Sequence, residues 1–221
     1  MALTKVIGAG LGTVTEDQVF GGATPTVTIG DAGAEDTKIV FDGNAQDFHI
    51  GLDDSADTLN IGLGSTLGTT SHMIFDANGI IIKPLQPAFM AQPSSKQLNV
   101  ATNATTTVIF GTERFDQNAD FASNTFTAPV TGKYFLAFSA YLENLDTAAQ
   151  YYQLDISTSN RNYYELIDPN FSADLTYFPV NIAAVADMDA SDTAIVRFSQ
   201  QAGTAQTDIP TDAIFMGYLL G

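Results

Sequence analysis

Hydrophobic and polar residues alternate along most of this chain in short runs. The runs are rich in Thr, Val, Ile, Phe and Tyr, and Gly, Asp and Asn lie between them. Alternation with a period of two is typical of β-strands, and the residues between the runs favour turns. No sustained helical pattern occurs, and the short segment 181–188 (NIAAVADM) comes nearest to one. The pattern therefore predicts an all-β protein.

The texture of the sequence changes twice, which predicts three regions. Residues 1–22 are Gly-rich, residues 23–83 are a run of short alternating strands, and residues 84–221 hold most of the aromatic side chains. Pro84 and Pro87 mark the second boundary. We predict an N-terminal docking arm over 1–22, a repetitive β stalk over 23–83, and a sandwich or barrel over 84–221, here called the head.

The stalk contains a repeat of 11 residues. Ile39–Asp42 recurs as Ile50–Asp53 and as Ile61–Gly64, and subtraction of 39, 50 and 61 gives a spacing of 11. Each strand offers two or three large apolar side chains, each worth roughly 1.5–3 kcal/mol when buried. Ordering the backbone costs about 1–2 kcal/mol per residue. We therefore predict a trimeric β-rod of the prism type, in which three chains share one apolar axis. The alternative is a monomeric meander packed on the head.

The last strand of the head, Ala213–Leu220, is apolar on both faces. One face belongs to the core of a two-sheet fold, and the other needs a partner, most simply a second copy of the chain. The candidates for the trimer interface or the core are Phe126, Tyr134, Phe215, Tyr218 and Leu219.

Several motifs in the head are similar to those of a known family. Asn124–Phe135 (NTFTAPVTGKYF) resembles the central signature of the globular head of complement C1q, a TNF-like jelly roll. Pro87–Phe89 resembles the opening strand of that family, Ser191–Val196 an internal strand, and Phe215–Leu220 the closing strand. The resemblance covers about 84–221, and it implies a jelly-roll sandwich.

The family's members are trimers that bind other molecules and are not usually enzymes. The resemblance therefore implies a homotrimeric binding protein without catalytic residues. The stalk has no collagen-like Gly-X-Y period. The Asp-rich repeat, the short start and the lack of a signal peptide look more like a bacteriophage fibre or virion appendage, located in the virus particle. Such a protein docks by its N-terminus to a tail or capsid and presents its head to the host or environment. A secreted complement-head-like module of cellular origin is the alternative, and a glycan-cleaving enzyme is the third hypothesis.

The N-terminal arm contains a glycine pattern, Gly8–Gly12, that imitates a dinucleotide-binding fingerprint. Thr13 stands where the third glycine is required, and no helix pattern follows. We interpret the arm instead as a segment that docks to other virion proteins. Its apolar docking candidates are Leu3, Val6, Ile7 and Leu11.

Aromatic doublets in the head supply candidates for receptor contact. In a strand, neighbouring side chains point to opposite faces, so one member of each doublet faces outward. An exposed tyrosine can stack on a sugar or fill a pocket of a host protein, although packing between subunits is the simpler role. The candidates for receptor contact are Tyr152, Tyr163, Tyr164 and Tyr177.

The composition of the chain excludes several kinds of partner and chemistry. The chain has 25 acidic and 8 basic residues and a formal net charge of -17, so we expect no binding to nucleic acid. No apolar run is long enough for a transmembrane helix, so we expect no membrane insertion, and the N-terminus makes a poor signal peptide. The absence of cysteine excludes disulfides and thiol catalysis.

The remaining metal-ligating residues favour structural roles. His49 and His72 both fall in stalk strands, where we interpret them as structural residues facing solvent or the axis. Oxygen-rich turns can hold Ca²⁺, but the aspartates of the repeat lack an EF-hand pattern and also suit turns. We therefore expect no cofactor, with Ca²⁺ as the alternative. Some complement-type heads bind calcium, so the resemblance makes Asp116, Asp120 and Asp192 of the head candidates for that ion, although none is assigned.

Overall fold

The structure is a computed structural model that describes residue 17 and residues 19–221. These residues form sixteen β-strands and no helix, which confirms the all-β fold. It follows that no helix in the described part of the chain could cross a membrane. The docking-arm candidates Leu3, Val6, Ile7 and Leu11 lie outside the described residues.

The chain divides into two compact units. The first runs to Thr70 and includes Phe75–Ile80, and the second comprises Ser71–Ile74 and Ile81–Gly221. Two short strands, β4 (Ser71–Asp76) and β5 (Ile81–Ile82), lie where the division falls.

The first unit contains an antiparallel sheet made from the three repeat copies. Its strands are β1 (Thr37–Phe41), β2 (Phe48–Asp53) and β3 (Thr58–Leu63). The register pairs Ile39 with Ile50 and Ile50 with Ile61, so the first residue of every copy lies in one row across the sheet. The 11-residue period therefore places the isoleucines that begin the three copies side by side, one on each strand.

One face of this sheet is closed by small and polar residues. His49 and Asn60 are buried there, and the Nδ1 of His49 donates to the carbonyl oxygen of Gly64 at 2.8 Å. A Cβ atom on Gly62 would lie 2.7 Å from the His49 ring, so the glycine makes room for the imidazole. His49 therefore has a structural role, as predicted, but it does not face solvent, whereas His72 is exposed.

The head is a sandwich of two antiparallel sheets, which agrees with the predicted jelly-roll head. The first head sheet has the order β14-β11-β16-β6-β8, and the second has the order β13-β12-β15-β10-β9, with β7 also pairing with β15. The strands are β6 (Ala88–Gln92), β7 (Thr105–Thr107), β8 (Thr112–Gln117), β9 (Phe121–Ala122), β10 (Thr125–Thr127), β11 (Gly132–Leu145), β12 (Ala149–Thr158), β13 (Asn162–Ile167), β14 (Leu175–Met188), β15 (Thr193–Ala202) and β16 (Ile214–Leu219).

The core lies between these two sheets. Phe89 is its centre, with ring centroids 4.7 Å from Phe126, 5.0 Å from Phe121 and 5.0 Å from Phe215. Alternate residues of the longer strands point into the same layer, because side chains in a strand alternate between faces. The helix-like segment 181–188 lies at the end of β14, where Ala184 and Ala186 pair with inward residues of β11.

The segment that leads into the head is tied to it by amide side chains. The Nε2 of Gln117 lies 2.9 Å from the carbonyl oxygen of Lys83, 2.8 Å from that of Pro84 and 2.8 Å from that of Gln86. The Nδ2 of Asn118 donates to the carbonyl oxygen of Leu85 at 3.0 Å. Residues 83–86 are therefore fixed to the end of β8.

Candidate binding and assembly surfaces

Part of the outward face of the first head sheet is apolar, beside polar pairs such as Ser139–Asn181. Val185, Phe115 and Tyr218 are 54%, 49% and 45% exposed on it, and the Tyr218 ring lies 5.3 Å from the ring of Phe135. Pairing across the strands places Met216 beside Met90 and Met90 beside Phe115 on the same side. We call this surface the apolar head face; its members are Met90, Phe115, Phe135, Val185, Met216 and Tyr218. Contiguous apolar surface of this kind marks an interaction site.

The outward face of the second head sheet is polar. Strand pairing places Tyr164, Asp155, Arg197 and Thr107 in one row across four strands. The Nε of Arg197 donates to Oδ1 of the buried Asp155 at 2.8 Å. We call this surface the polar head face. It resembles an ordinary solvated sheet surface, so the two sides of the sandwich differ in chemistry.

The loops of the head gather at two opposite ends. The chain enters beside Ala88, which pairs with Tyr218, and β11 runs from there to Leu145 at the far end. We call this far end the distal end; it carries the loops 146–148, 168–174 and 203–213. Loops on a rigid sandwich commonly carry binding residues.

Asp146 organises the distal end. Its buried carboxylate accepts hydrogen bonds from the backbone amides of Thr204, Ala205 and Ala148 at 2.5, 2.8 and 2.7 Å. These bonds favour the charged form of the carboxylate and hold the pKa of Asp146 below its usual value of 3.8. The amide of Ala205 contributes most, followed by those of Thr204 and Ala148. One carboxylate therefore joins two of the distal loops.

Tyr152 supports the same loop from inside the core. It is fully buried, its hydroxyl donates to the carbonyl oxygen of Asp146 at 3.0 Å, and it accepts from the amide of Asp146 at 2.6 Å. Burial raises the pKa of Tyr152. The prediction of Tyr152 as a receptor contact is therefore wrong. Of the doublet Tyr151–Tyr152, Tyr152 is the member that points inward, where the backbone of Asp146 satisfies its hydroxyl.

The other tyrosine candidates lie in three different places. Tyr163 is half-buried and packs against the core. Tyr164 is 63% exposed on the polar head face. Tyr177 is 62% exposed near the distal end, where its ring lies 5.5 Å from that of Tyr141. The hydroxyl of Tyr141 in turn donates to Asp212 at 2.9 Å. Receptor contact by Tyr164 or Tyr177 stays a prediction.

The candidates for interface or core separate by the direction in which they point. Phe126, Tyr134 and Phe215 are fully buried between the sheets, and the Tyr134 hydroxyl donates to the carbonyl oxygen of Val130 at 2.7 Å. These three residues are core residues of one chain. Tyr218 lies on the apolar head face, and Leu219 is partly buried against the core. Only Tyr218 is left as a candidate for contact with another chain.

The part of the chain that the structure describes contains no cluster that suits a cation. Among the described residues, no group of three or more His, Cys, Asp or Glu side chains could hold a metal ion. The carboxylate of Asp116 accepts from the amides of Asp120 and Phe121, each at 3.0 Å, so it stabilises a turn. The expectation of no cofactor, with Ca²⁺ as its alternative, stays a prediction.

Sequence reasoning missed Asp146 and the Asp155–Arg197 pair. Asp155 lies between Leu154 and Ile156 in an apolar strand, and a charged residue in such a position signals either an outward side chain or a paired one. That signal was available in the sequence. The sequence contained no signal for the role of Asp146, because two of its three amide donors belong to a loop that is 58 residues away or more.

Comparison with known proteins agrees with the architecture of the head. The family model of the C1q domain matches residues 88–220. This chain belongs to the C1q domain family. A similar solved structure is the globular domain of zebrafish complement 1qA protein, with 22% sequence identity, a TM-score of 0.46, and coverage of 62% of this chain and 98% of that chain. No curated protein sequence matches the chain.

The C1q domain is a binding module, so binding is the coarse function of the head. C1q-domain proteins commonly form trimers, which is consistent with the apolar head face of this chain. The match begins at the first head strand and leaves the first unit outside the family.

Proposed function

We propose that this chain is a homotrimeric fibre or appendage of a virus particle whose C1q-type head binds a partner on the host or in the environment. The observation that carries the trimer is the contrast between the two sides of the sandwich. One outward face carries the contiguous apolar residues of the apolar head face, whereas the other carries the Asp155–Arg197 pair, so the first side gains more from burial against another copy.

The positions of the two ends of the head support a role in presenting the distal loops to a partner. The connecting segment 83–86 is tied to β8, while the distal loops lie at the opposite end of the sandwich. Asp146 and Tyr152 hold those loops in one arrangement, which lowers the entropy lost when a ligand binds. We propose that the partner is a surface glycan or protein and that it contacts the distal end, including Tyr177.

The virion part of the proposal rests on the N-terminal half. The Gly-rich residues 1–22 suit an arm that docks to other virion proteins, and the repeat suits a projecting stalk. Both features lie outside the family match, which begins at residue 88.

The trimer is tested with two matched tyrosine variants. Tyr218→Glu places a charge on the apolar head face, and Tyr164→Glu places the same charge on the polar head face. We expect sedimentation equilibrium to give three times the chain mass for the native protein and for Tyr164→Glu, and a monomer for Tyr218→Glu. A native monomer at micromolar concentration would rule out the trimer.

Cellular origin is the second candidate, because family membership fits a secreted complement-head-like module equally well. Antibody labelling in electron micrographs separates the two. Gold particles on the surface of purified virus particles support the appendage. Label confined to soluble secreted protein, with none on particles, supports the cellular module and contradicts the appendage.

Contact at the distal end is tested by binding to intact cells of the host. Tyr177→Ala should weaken binding of the trimer by about ten-fold, the scale of one buried aromatic anchor. Leu166→Ala, an exposed apolar residue on the polar head face, is the matched control and should leave binding unchanged. Equal binding by all three proteins would remove Tyr177 from the contact.

A further inference from the structure

The three repeat strands of the first unit, β1, β2 and β3, share one face made almost entirely of large apolar side chains. Ile39, Phe41, Ile50, Leu52 and Leu59 are 36–55% exposed on it. We call this surface the stalk face; it consists of Ile39, Phe41, Phe48, Ile50, Leu52, Leu59, Ile61 and Leu63, together with Thr37. A folded unit rarely leaves so continuous an apolar surface in water unless a partner covers it.

The opposite face of the same sheet is already closed. A Cβ atom on Gly51 would lie 2.7 Å from the carbonyl oxygen of Thr37 and 2.8 Å from the side chain of Leu67. A Cβ atom on Gly62 would lie 2.5 Å from the carbonyl oxygen of Thr70. Of the two faces, the stalk face is therefore the one that can accept a partner.

The rows of the stalk face suit contact with an identical face. Ile39, Ile50 and Ile61 form the middle row, and Phe41, Phe48 and Leu63 form a row beside it. Lys38 and Asp53, the two Lys, Arg, Asp or Glu residues within these strands, point to the other face because side chains alternate. Copies of the stalk face can therefore meet without a buried charge or like-charge repulsion.

The head determines which partner is available. C1q-domain proteins commonly form trimers, and residues 64–87 connect β3 to the head within one chain. A head trimer would hold three stalk faces at a high effective concentration, typically in the millimolar range for short tethers. A partner of a different kind would need an apolar surface that tolerates the acidic turns on either side of the sheet.

We propose that the stalk faces of three copies pack against one another around a common axis, with Ile39, Ile50 and Ile61 of every copy in one apolar layer. The inference rests on the proposed head trimer and extends it to a surface outside the C1q domain. It makes the first unit an assembly element of its own.

Cysteine cross-linking tests this packing, because the full chain contains no cysteine. Ile50→Cys puts a thiol in the middle row, and Asn44→Cys puts one in an exposed turn of the same unit. With a short bismaleimide, we expect about ten-fold more cross-linked dimer from Ile50→Cys than from Asn44→Cys. Ten-fold dilution should leave the Ile50→Cys yield unchanged, because the reacting copies belong to one trimer.

Sedimentation of the same two variants separates this inference from the head trimer. A trimeric mass with no preference for Ile50→Cys would overturn the packing of stalk faces and leave the head trimer standing. A monomeric mass would overturn both. Equal cross-linking of the two variants would indicate random encounters and would also count against the inference. Protection of the Ile50→Cys thiol without any cross-link would contradict it too, since another partner would then cover the face.

Discussion

The strands of the first unit and those of the head show the same alternation of apolar and polar side chains, but their apolar faces are covered differently. In the head, the inward residues of one sheet pack against those of the other, and Phe89 lies among three other phenylalanine rings. In the first unit, the buried side holds His49 and Asn60, and the large apolar residues face outward. Alternation predicts that a strand has one apolar face. It does not predict whether a second layer of the same chain covers that face.

The strongest test of this contrast is truncation in the closed core. Phe89→Ala removes a fully buried ring and leaves a cavity, so we expect the free energy of unfolding to fall by about 3–5 kcal/mol. Leu166→Ala on the polar head face should cost less than about 1 kcal/mol. Chemical denaturation followed by circular dichroism measures both, and similar losses would show that the sandwich core is not the source of stability.

The polar support of the distal end gives the next largest effect. Asp146→Asn removes the charge that three backbone amides hold, so we expect a loss of about 1.5–3 kcal/mol at pH 7. The folded pKa of Asp146 is lowered, so its contribution is complete above the usual value of 3.8 and disappears as the pH falls through the folded pKa. Denaturation at pH 7 and at about pH 2.5 should show the gap between native protein and variant narrowing in acid. A constant gap would contradict this assignment.

In the first unit, the closed face of the sheet is tested with two glycines. Gly62→Ala would force a methyl group against the carbonyl oxygen of Thr70 and the His49 ring, at an expected cost of about 1–3 kcal/mol. Gly21→Ala meets no atom within 4 Å and should be close to neutral. Hydrogen exchange of the amides in β2 and β3 reports the difference. Unchanged protection in Gly62→Ala would mean that the face is open.

The smallest expected effect concerns a single hydroxyl. Tyr152→Phe keeps the ring and removes the two hydrogen bonds to the Asp146 backbone, so we expect a loss of about 1 kcal/mol. Tyr164→Phe, on the exposed polar head face, should change the free energy of unfolding very little. Thermal denaturation measures both variants, and equal stability would remove the hydroxyl from the support of the distal loop.

Much of the head could be predicted because its strands carry local signals. The Phe126–Pro129 signature and the apolar strand 213–220 both fall where the sandwich requires them. The short strands β8 and β9 were not predicted, since Thr112–Gln117 and Phe121–Ala122 owe their pairing to neighbours rather than to alternation. The segment 181–188 became a strand because β11 offers it a long antiparallel partner.

The surfaces were harder to predict than the strands. A tyrosine doublet shows that one ring faces inward, but only the register identifies Tyr152 as that ring. His49 is buried because Gly62 stands opposite it on the next strand, and no local pattern in β2 contains that pairing. The distal loops depend on Asp146 reaching residues far along the chain, which spacing cannot reveal.

The amide of Gln117 has a mechanical consequence. Its bonds to Lys83, Pro84 and Gln86 attach the incoming chain to β8, and β8 is itself paired with β6, the first strand of the head. The start of the head is therefore held by two adjacent strands, β6 through the chain itself and β8 through Gln117. Separating the incoming chain from the head therefore requires the hydrogen bonds of Gln117 to break as well as those of β6.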